Sequence, residues 1–326
     1  MVDSMSVPAL LGRRALQAIP LLFVVSVLVF LLIHAVPGGP FAIYLSNPNV
    51  RPEDIERLRR AYGLDRPLWL QYWSWLAAFT RGDWGFSVID GRSVSARIVE
   101  RVPATLELVG TSIVAALALT LPAGIGGAVR RGRWFDRLTG AVAMAGISLP
   151  PFWFGLLLQM VFAAFLGWLP SSGRTTPGYA GATAMTALAD RVRHLVLPVT
   201  MLAVVQAAAW SRYLRGSMIE TLAQPFIAAA RARGVPARLV ILRHALRPAI
   251  GSTLAIVMVD AALVASGAVV TESVFAWPGL GSLFTEALAR RDCSVLMALL
   301  MLTSTAIVVS NVAADAAHAL IDPRCV

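Results

Sequence analysis

Lysine is absent from this 326-residue chain, in which all 28 basic residues are arginine. Without lysine the phosphate-cradling pattern Gly-x4-Gly-Lys-Ser/Thr cannot be completed, so any nucleotide hydrolysis belongs to another polypeptide. Cysteine is nearly as scarce: Cys293 and Cys325 are too few for a disulfide framework, and the topology derived below sets them on opposite membrane faces. The four histidines, His34, His194, His244 and His318, share no i, i+4 spacing and have no cysteine neighbours, which argues against a metal site and for structural hydrogen bonding. No Gly-x-Ser-x-Gly elbow occurs, and no serine has a positioned histidine and acid, so a hydrolase is not expected. Neither an internal repeat nor a low-complexity tract divides the chain.

Charge is the other shortage. Only 14% of residues are charged and 57% are hydrophobic, against about 25% charged in an average soluble domain. A soluble fold built from this chain would lack the polar surface to cover itself. The net charge of +10 and pI near 11.0 suit a nucleic-acid partner in principle, because phosphate binding rewards clustered basic residues. Here the arginines lie singly or in pairs between long apolar runs, without any RNP, zinc-finger or basic-helix pattern, so no nucleic acid is expected.

What the chain has is apolar length. A spanning helix needs about 20 mainly apolar residues, since each rises about 1.5 Å across a hydrocarbon core of about 30 Å. Six stretches qualify: Ala15 to Val36, Ala104 to Val129, Leu138 to Leu169, Leu195 to Trp210, Ala249 to Val270 and Val295 to Val312. The first follows Arg13 and Arg14 but is too long for a secretory h-region, so it reads as an uncleaved span. Pro150 and Pro151 predict a break in the third stretch, and Pro198 interrupts the short fourth. Arginine bias orients them. Arg130, Arg131, Arg133 and Arg137 follow the second stretch, and Arg212, Arg215, Arg231, Arg233, Arg238, Arg243 and Arg247 follow the fourth, against the single acid Glu220. Both termini are therefore expected in the cytoplasm.

The segment from Pro37 to Pro103 is external on this reading and mixes nine arginines with seven acids. Glu53 to Tyr62 reads as a short helix. Trp69, Tyr72, Trp73, Trp75 and Trp84 form an aromatic belt at the interface or, alternatively, a ligand surface.

On the other side, residues 212–248 are helix-forming yet too polar to span. Phe226 to Arg233 is alanine-rich, Gly234 stands where a helix end needs a left-handed residue, and Pro236 follows. A second short helix, Ala237 to Leu246, is predicted to end before Pro248. So short a helix is marginal alone and implies docking; Ala228, Ala229 and Ala230 permit close backbone approach, and the arginines offer forks to carboxylates.

With these residues in place the chain resembles the permease subunits of ATP-binding-cassette importers of the peptide, nickel and opine branch. That family's cytoplasmic signature is Glu-Ala-Ala, three residues, Gly, nine residues, Ile-x-Leu-Pro. Ala229, Ala230, Gly234 and Leu246 match it; Ala228 replaces Glu, His244 replaces Ile, and proline falls one place late at Pro248. Val36-Pro37-Gly38-Gly39-Pro40, Gly63 to Pro67, Gly82-Asp83-Trp84-Gly85, Arg101 to Leu108, Arg243 to Arg247, Phe275 to Gly281 and Leu320 to Arg324 are similar to further family motifs in order.

The resemblance implies an all-α integral membrane protein of the type I importer fold, with six transmembrane helices and residues 1–326 forming one permease domain. Residues 38–103 are its long external segment, and 212–248 its cytoplasmic coupling loop. Ala228, Ala229, Ala230, Arg231, Arg233, Gly234 and His244 would meet the ATPase. The implied partners are a homologous second permease, two ATP-binding-cassette ATPase subunits that bind ATP and magnesium, an extracytoplasmic binding protein, and lipid of a bacterial inner membrane. No cofactor is expected on this chain. Peptides are the implied cargo; nickel, a metal chelate or an opine is the alternative.

Asp260, Gln206 and Glu272 are candidate path residues. A lone carboxylate at mid-span costs about 2.5–3.5 kcal/mol on insertion scales, so Asp260 should face either a substrate amine or a neighbouring helix. Glu272 also suits a brace at the external end of its span, and Asp315 a structural partner of an arginine. The rival class is an ion-coupled secondary transporter with Asp260 at its site, which predicts inverted repeats that the sequence does not show.

Overall fold

The computed structural model describes residues 7–35, 53, 57, 60, 63, 65–178 and 183–321. Its helices are Val7–His34 (α1), Leu68–Thr80 (α2), Val94–Val129 (α3), Trp134–Ser148 (α4), Pro151–Phe165 (α5), Ala184–Leu222 (α6), Pro225–Ala232 (α7), Leu246–Val274 (α8), Leu280–Ala289 (α9) and Cys293–Ile321 (α10). Among the described residues there is no strand, only an isolated bridge between Phe86 and Ser93. A helix satisfies its own backbone polar groups, which is what hydrocarbon surroundings demand.

Four helices, α1, α3, α6 and α10, are each long and apolar enough to cross a bilayer, and the α4–α5 pair makes a fifth candidate bent by 102°. The bend falls at the expected prolines. Leu149 and Pro150 are extended, as residues before proline prefer, and Pro151 restarts the helix at its first position. Surface composition agrees with a lipid setting: Leu16 is 71% exposed and Val114 68% exposed, on faces that water would penalise.

Several expected boundaries move. The second stretch begins ten residues early, because Ser93 caps α3 by accepting the Ala96 N–H (3.2 Å), and Pro103 is carried inside the helix. Pro198 does not interrupt the fourth stretch: Leu197 and Pro198 are buried, and α6 runs 39 residues from a Thr183 cap. Arg212 and Arg215 consequently lie on α6 and outside any loop. Nor does Pro248 end a second short helix. The turn at Ala237–Leu239 widens into a π turn over Val240–Ala245 and continues into α8. That wider turn relieves the clash a regular turn would meet between the Pro248 ring and the carbonyl four residues back. The expected helix from Glu53 to Tyr62, the motifs at 36–40 and 322–324, and Cys325 lie outside the described residues, fully or in the main.

The longest packing seam joins α3 to α6, and α8 closes against both. Its middle is built of small residues, Ala116, Ala203 and Ala207, around the fully buried Trp210. Small side chains let helix axes approach where lipid supplies no hydrophobic drive. At one end α1, α2 and the start of α10 share a core containing Phe30, Tyr72 and Val295. Two of these helices, α1 and α10, meet again near the other end of α10, where Arg14 Nε lies 2.8 Å from Asp315 Oδ2.

Candidate functional site

The alanine-rich segment forms α7, and its end is a full Schellman cap. Gly234 has φ +80°, its N–H bonds the Arg231 carbonyl (2.9 Å), and Val235 N–H bonds the Ala230 carbonyl (3.3 Å). Nothing lies within 4 Å of a Cβ built on Gly234, so glycine is required by the dihedral and space is not the constraint. One face of α7 is an anchor: Ile227 and Ala230 are at 0% exposure, packed with Leu214 and Met218 of α6, Val240, and Ala249 of α8. The opposite face is open. Ala228, Ala229, Arg231 and Arg233 are exposed, as are Phe226, Leu239 and Leu242 beside them, while His244 is half-buried in the π turn. A groove of about 340 Å³ runs alongside, lined by Ala128, Arg131, Leu222, Arg231 and Ile241 among others.

The ends of α4 and α6 are pinned next to this knob. Arg215 grips Asp136 with two parallel bonds, Nε to Oδ1 (2.5 Å) and Nη2 to Oδ2 (2.8 Å), and the Gly132 N–H donates to the same carboxylate (2.8 Å). Counting arginines for orientation gave no hint of this pair.

At the far end of α8, the Phe-Ala-Trp-Pro-Gly-Leu-Gly run folds as a latch on Glu272. The Glu272 carboxylate is fully buried; it accepts from Thr105 Oγ1 (2.7 Å) and the Ser282 N–H (2.9 Å), while Thr105 Oγ1 in turn accepts the Leu280 N–H (2.8 Å). Trp277 Nε1 donates to the Ala104 carbonyl (2.8 Å), closing the turn onto α3. These contacts place Glu272 as a brace between α3, α8 and α9.

Asp260 and Gln206 lie deeper. Trp210 Nε1 donates to Asp260 Oδ2 at 2.8 Å, bridging α6 and α8, and both Asp260 and Gln206 are half-buried. Gln206 sits one turn before Trp210 on the same helix. The structure thus ties Asp260 to α6 one turn beyond Gln206 and leaves Glu272 apart, in the latch on α3 and α9.

The largest network absent from the sequence reading surrounds Arg97. Its guanidinium meets Glu286 (3.2 Å), Asp292 (3.6 Å) and Asp90 (3.5 Å), and donates to Ser87 Oγ (2.9 Å), which itself donates to Asp292 Oδ2. Burial raises the Asp90 pKa, but the Arg92 N–H, the Arg97 guanidinium and Ser87 outweigh it and hold the carboxyl below its ordinary range. A second clamp sets Arg174 and Arg191 on Glu107. Of the aromatic belt, Trp69 and Trp73 are exposed, while Tyr72 is buried and shares a 2.7 Å hydrogen bond with Ser26. His34 and His194 hydrogen-bond backbone carbonyls one turn earlier, and among the described residues no group of histidine, cysteine, aspartate or glutamate is arranged to hold a metal.

A bent-span helical bundle presenting a short capped helix outside its hydrophobic length is a multi-pass inner-membrane permease. The chain belongs to the family described as binding-protein-dependent transport system inner membrane component, which matches residues 120–326, while the family's N-terminal component matches 9–109. The junction between the two matches falls inside α3. The chain is 38% identical over 311 residues to the glutathione transport system permease protein GsiC of Escherichia coli strain K12, covering 95% of this chain and 96% of that protein. The oligopeptide transport system permease protein AppB of Bacillus subtilis strain 168 is 36% identical over 313 residues, covering 96% and 97% respectively.

Proposed function

We propose that this chain is one permease subunit of a peptide importer, glutathione being among its candidate cargoes, and that it works by alternating access driven by ATPases on separate polypeptides. Six spans follow from the six long apolar stretches, and the arginine bias sets the Gly234 end and both termini in the cytoplasm. Four long spans, the bent pair and α8 fit that count. The bundle is half of an enclosed path, and a homologous permease supplies the rest. An extracytoplasmic binding protein delivers cargo to the opposite face.

The observation that carries this reading is α7. Its Ile227–Ala230 face is locked into the bundle, so a force on its Ala228–Ala229 face is passed to α6 and α8 without melting the helix. The exposed arginines and Phe226 suit a groove that combines apolar and acidic groups. When two ATPases close on ATP, α7 moves with them and biases a two-state packing of the bundle. The test is Ala229→Trp in the assembled complex. A bulky ring on the open face should abolish ATPase co-purification and peptide uptake while the purified chain keeps its helicity. Retention of both would overturn the assignment, as would solute movement by the isolated chain down an ion gradient.

A further inference from the structure

Asp260 stands at the midpoint of α8, the element spanning Leu246–Val274. Its one hydrogen bond among the described residues comes from Trp210 Nε1, at 2.8 Å to Oδ2. Trp210 is at 0% exposure, wedged among Ala116, Ala203, Ala207 and Val257, so the donor is fixed and the carboxylate is held in a single orientation. Asp260 itself is half-buried, and Oδ1 has no donor among the described residues. No described arginine or histidine lies within ion-pair distance of it, whereas Asp136, Glu107 and Asp292 each have an arginine, and the fully buried Glu272, which also lacks one, has two neutral donors where Asp260 has one. A carboxyl group with one neutral donor in a low-dielectric span leaves its second oxygen uncompensated, and a cation brought beside it would supply what it lacks.

We propose that Asp260 receives the ammonium group of the transported solute, the free amino terminus of a peptide. Trp210 holds the carboxylate, and Gln206, one turn away, offers an amide to the adjoining peptide unit. An ammonium is a compact charge with several donors, which suits a carboxylate oxygen left open on one side. This inference rests on the importer reading.

The experiment uses the complete complex in proteoliposomes with its binding protein saturated by a tripeptide. The same peptide, N-acetylated, is carried in parallel. Asp260→Asn should slow uptake of the free-amine peptide about tenfold or more, the scale of one lost charge-assisted hydrogen bond. Co-purification of the ATPases with Asp260→Asn should match the wild type, since no coupling contact is touched. Asp260→Glu should recover part of the rate, and uptake of the acetylated peptide should be slow in the wild type and unaltered by Asp260→Asn. Equal uptake by wild type and Asp260→Asn overturns the proposal. So does loss of the second permease on purification of Asp260→Asn, which would make the missing cation a basic residue of that subunit. If the intact wild-type complex moves no peptide, the importer reading fails first and this inference with it.

Discussion

Arg97 and Asp292 form an ion pair that is almost sealed from solvent: the arginine side chain is 8% exposed, the aspartate 0%, and their charged atoms lie 3.6 Å apart. The pair ties the start of α3 to the start of α10, and Ser87 and Glu286 complete its hydrogen bonding. Removing one member of a buried pair leaves the other uncompensated, at a cost of about 3–5 kcal/mol. Arg97→Met should therefore lower the thermal midpoint of the detergent-solubilised protein far more than Arg97→Met combined with Asp292→Asn. Equal losses would show that the pair is not a closed unit.

Acid should loosen the same corner. Asp90 has its folded-state pKa depressed below the ordinary 3.8. A depressed carboxyl stabilises the fold above its unfolded value and loses that contribution as pH falls through the folded value. Melting temperature should thus drop below about pH 4 in the wild type, and Asp90→Asn should show a shallower drop over that window. Identical acid limbs would remove Asp90 from the network.

At Gly234 the prediction concerns dihedral strain alone. An L side chain at φ +80° costs about 1–2 kcal/mol, and asparagine tolerates this region better than alanine. Gly234→Ala should reduce ATPase co-purification and uptake, Gly234→Asn less so, and neither should change the global melting temperature by more than a few degrees. A reversed order, with asparagine worse, would point to a packing role, against the open space around the glycine.

How far the sequence reveals these sites depends on chain separation. The α7 cap is readable from Arg-Ala-Arg-Gly-Val-Pro because its hydrogen bonds close within six residues. The bend at Pro150 and Pro151 is equally local, since each proline constrains its own neighbourhood. Pro198 and Pro248 look the same in sequence and break nothing: buried neighbours surround one, and a π turn absorbs the other. Trp210 and Asp260 are 50 positions apart, and Ser87 and Asp292 are 205 apart. Composition supplies such residues without pairing them, because pairing is set by which helices pack. Lone charges at the ends of apolar runs were illegible as partners.

The Asp136–Arg215 grip separates charge from geometry. Both guanidinium bonds are in place, at 2.5 and 2.8 Å, and Asp136 is nearly enclosed. Lysine keeps the charge but cannot reproduce the fork. Arg215→Lys should cost about 1–2 kcal/mol, and Asp136→Asn a similar amount, without additivity in the double variant because the two residues share one interaction. Additive losses in a double-mutant cycle would mean that the residues act separately.

The latch at Glu272 makes the sharpest structural prediction, because its failure and its role can be told apart. A Cβ on Gly281 would stand 2.4 Å from the Val269 Cα, a backbone atom that cannot swing aside. Gly281→Ala must push α9 off α8, and the gap exposes the Glu272 carboxyl that Thr105 and Ser282 now satisfy. Glu272→Gln has nearly the same shape, keeps one acceptor oxygen, and loses the second at the Ser282 N–H. The glycine variant should therefore fold poorly or melt many degrees lower, whereas Glu272→Gln should stay folded with a loss of about 1–3 kcal/mol. Thr105→Val tests the other side of the same carboxylate, removing the hydroxyl while keeping its volume, and should cost a comparable amount. If Glu272 instead met the transported solute directly, Glu272→Gln would leave stability intact and lower uptake alone, and melting curves taken beside transport rates decide between the two.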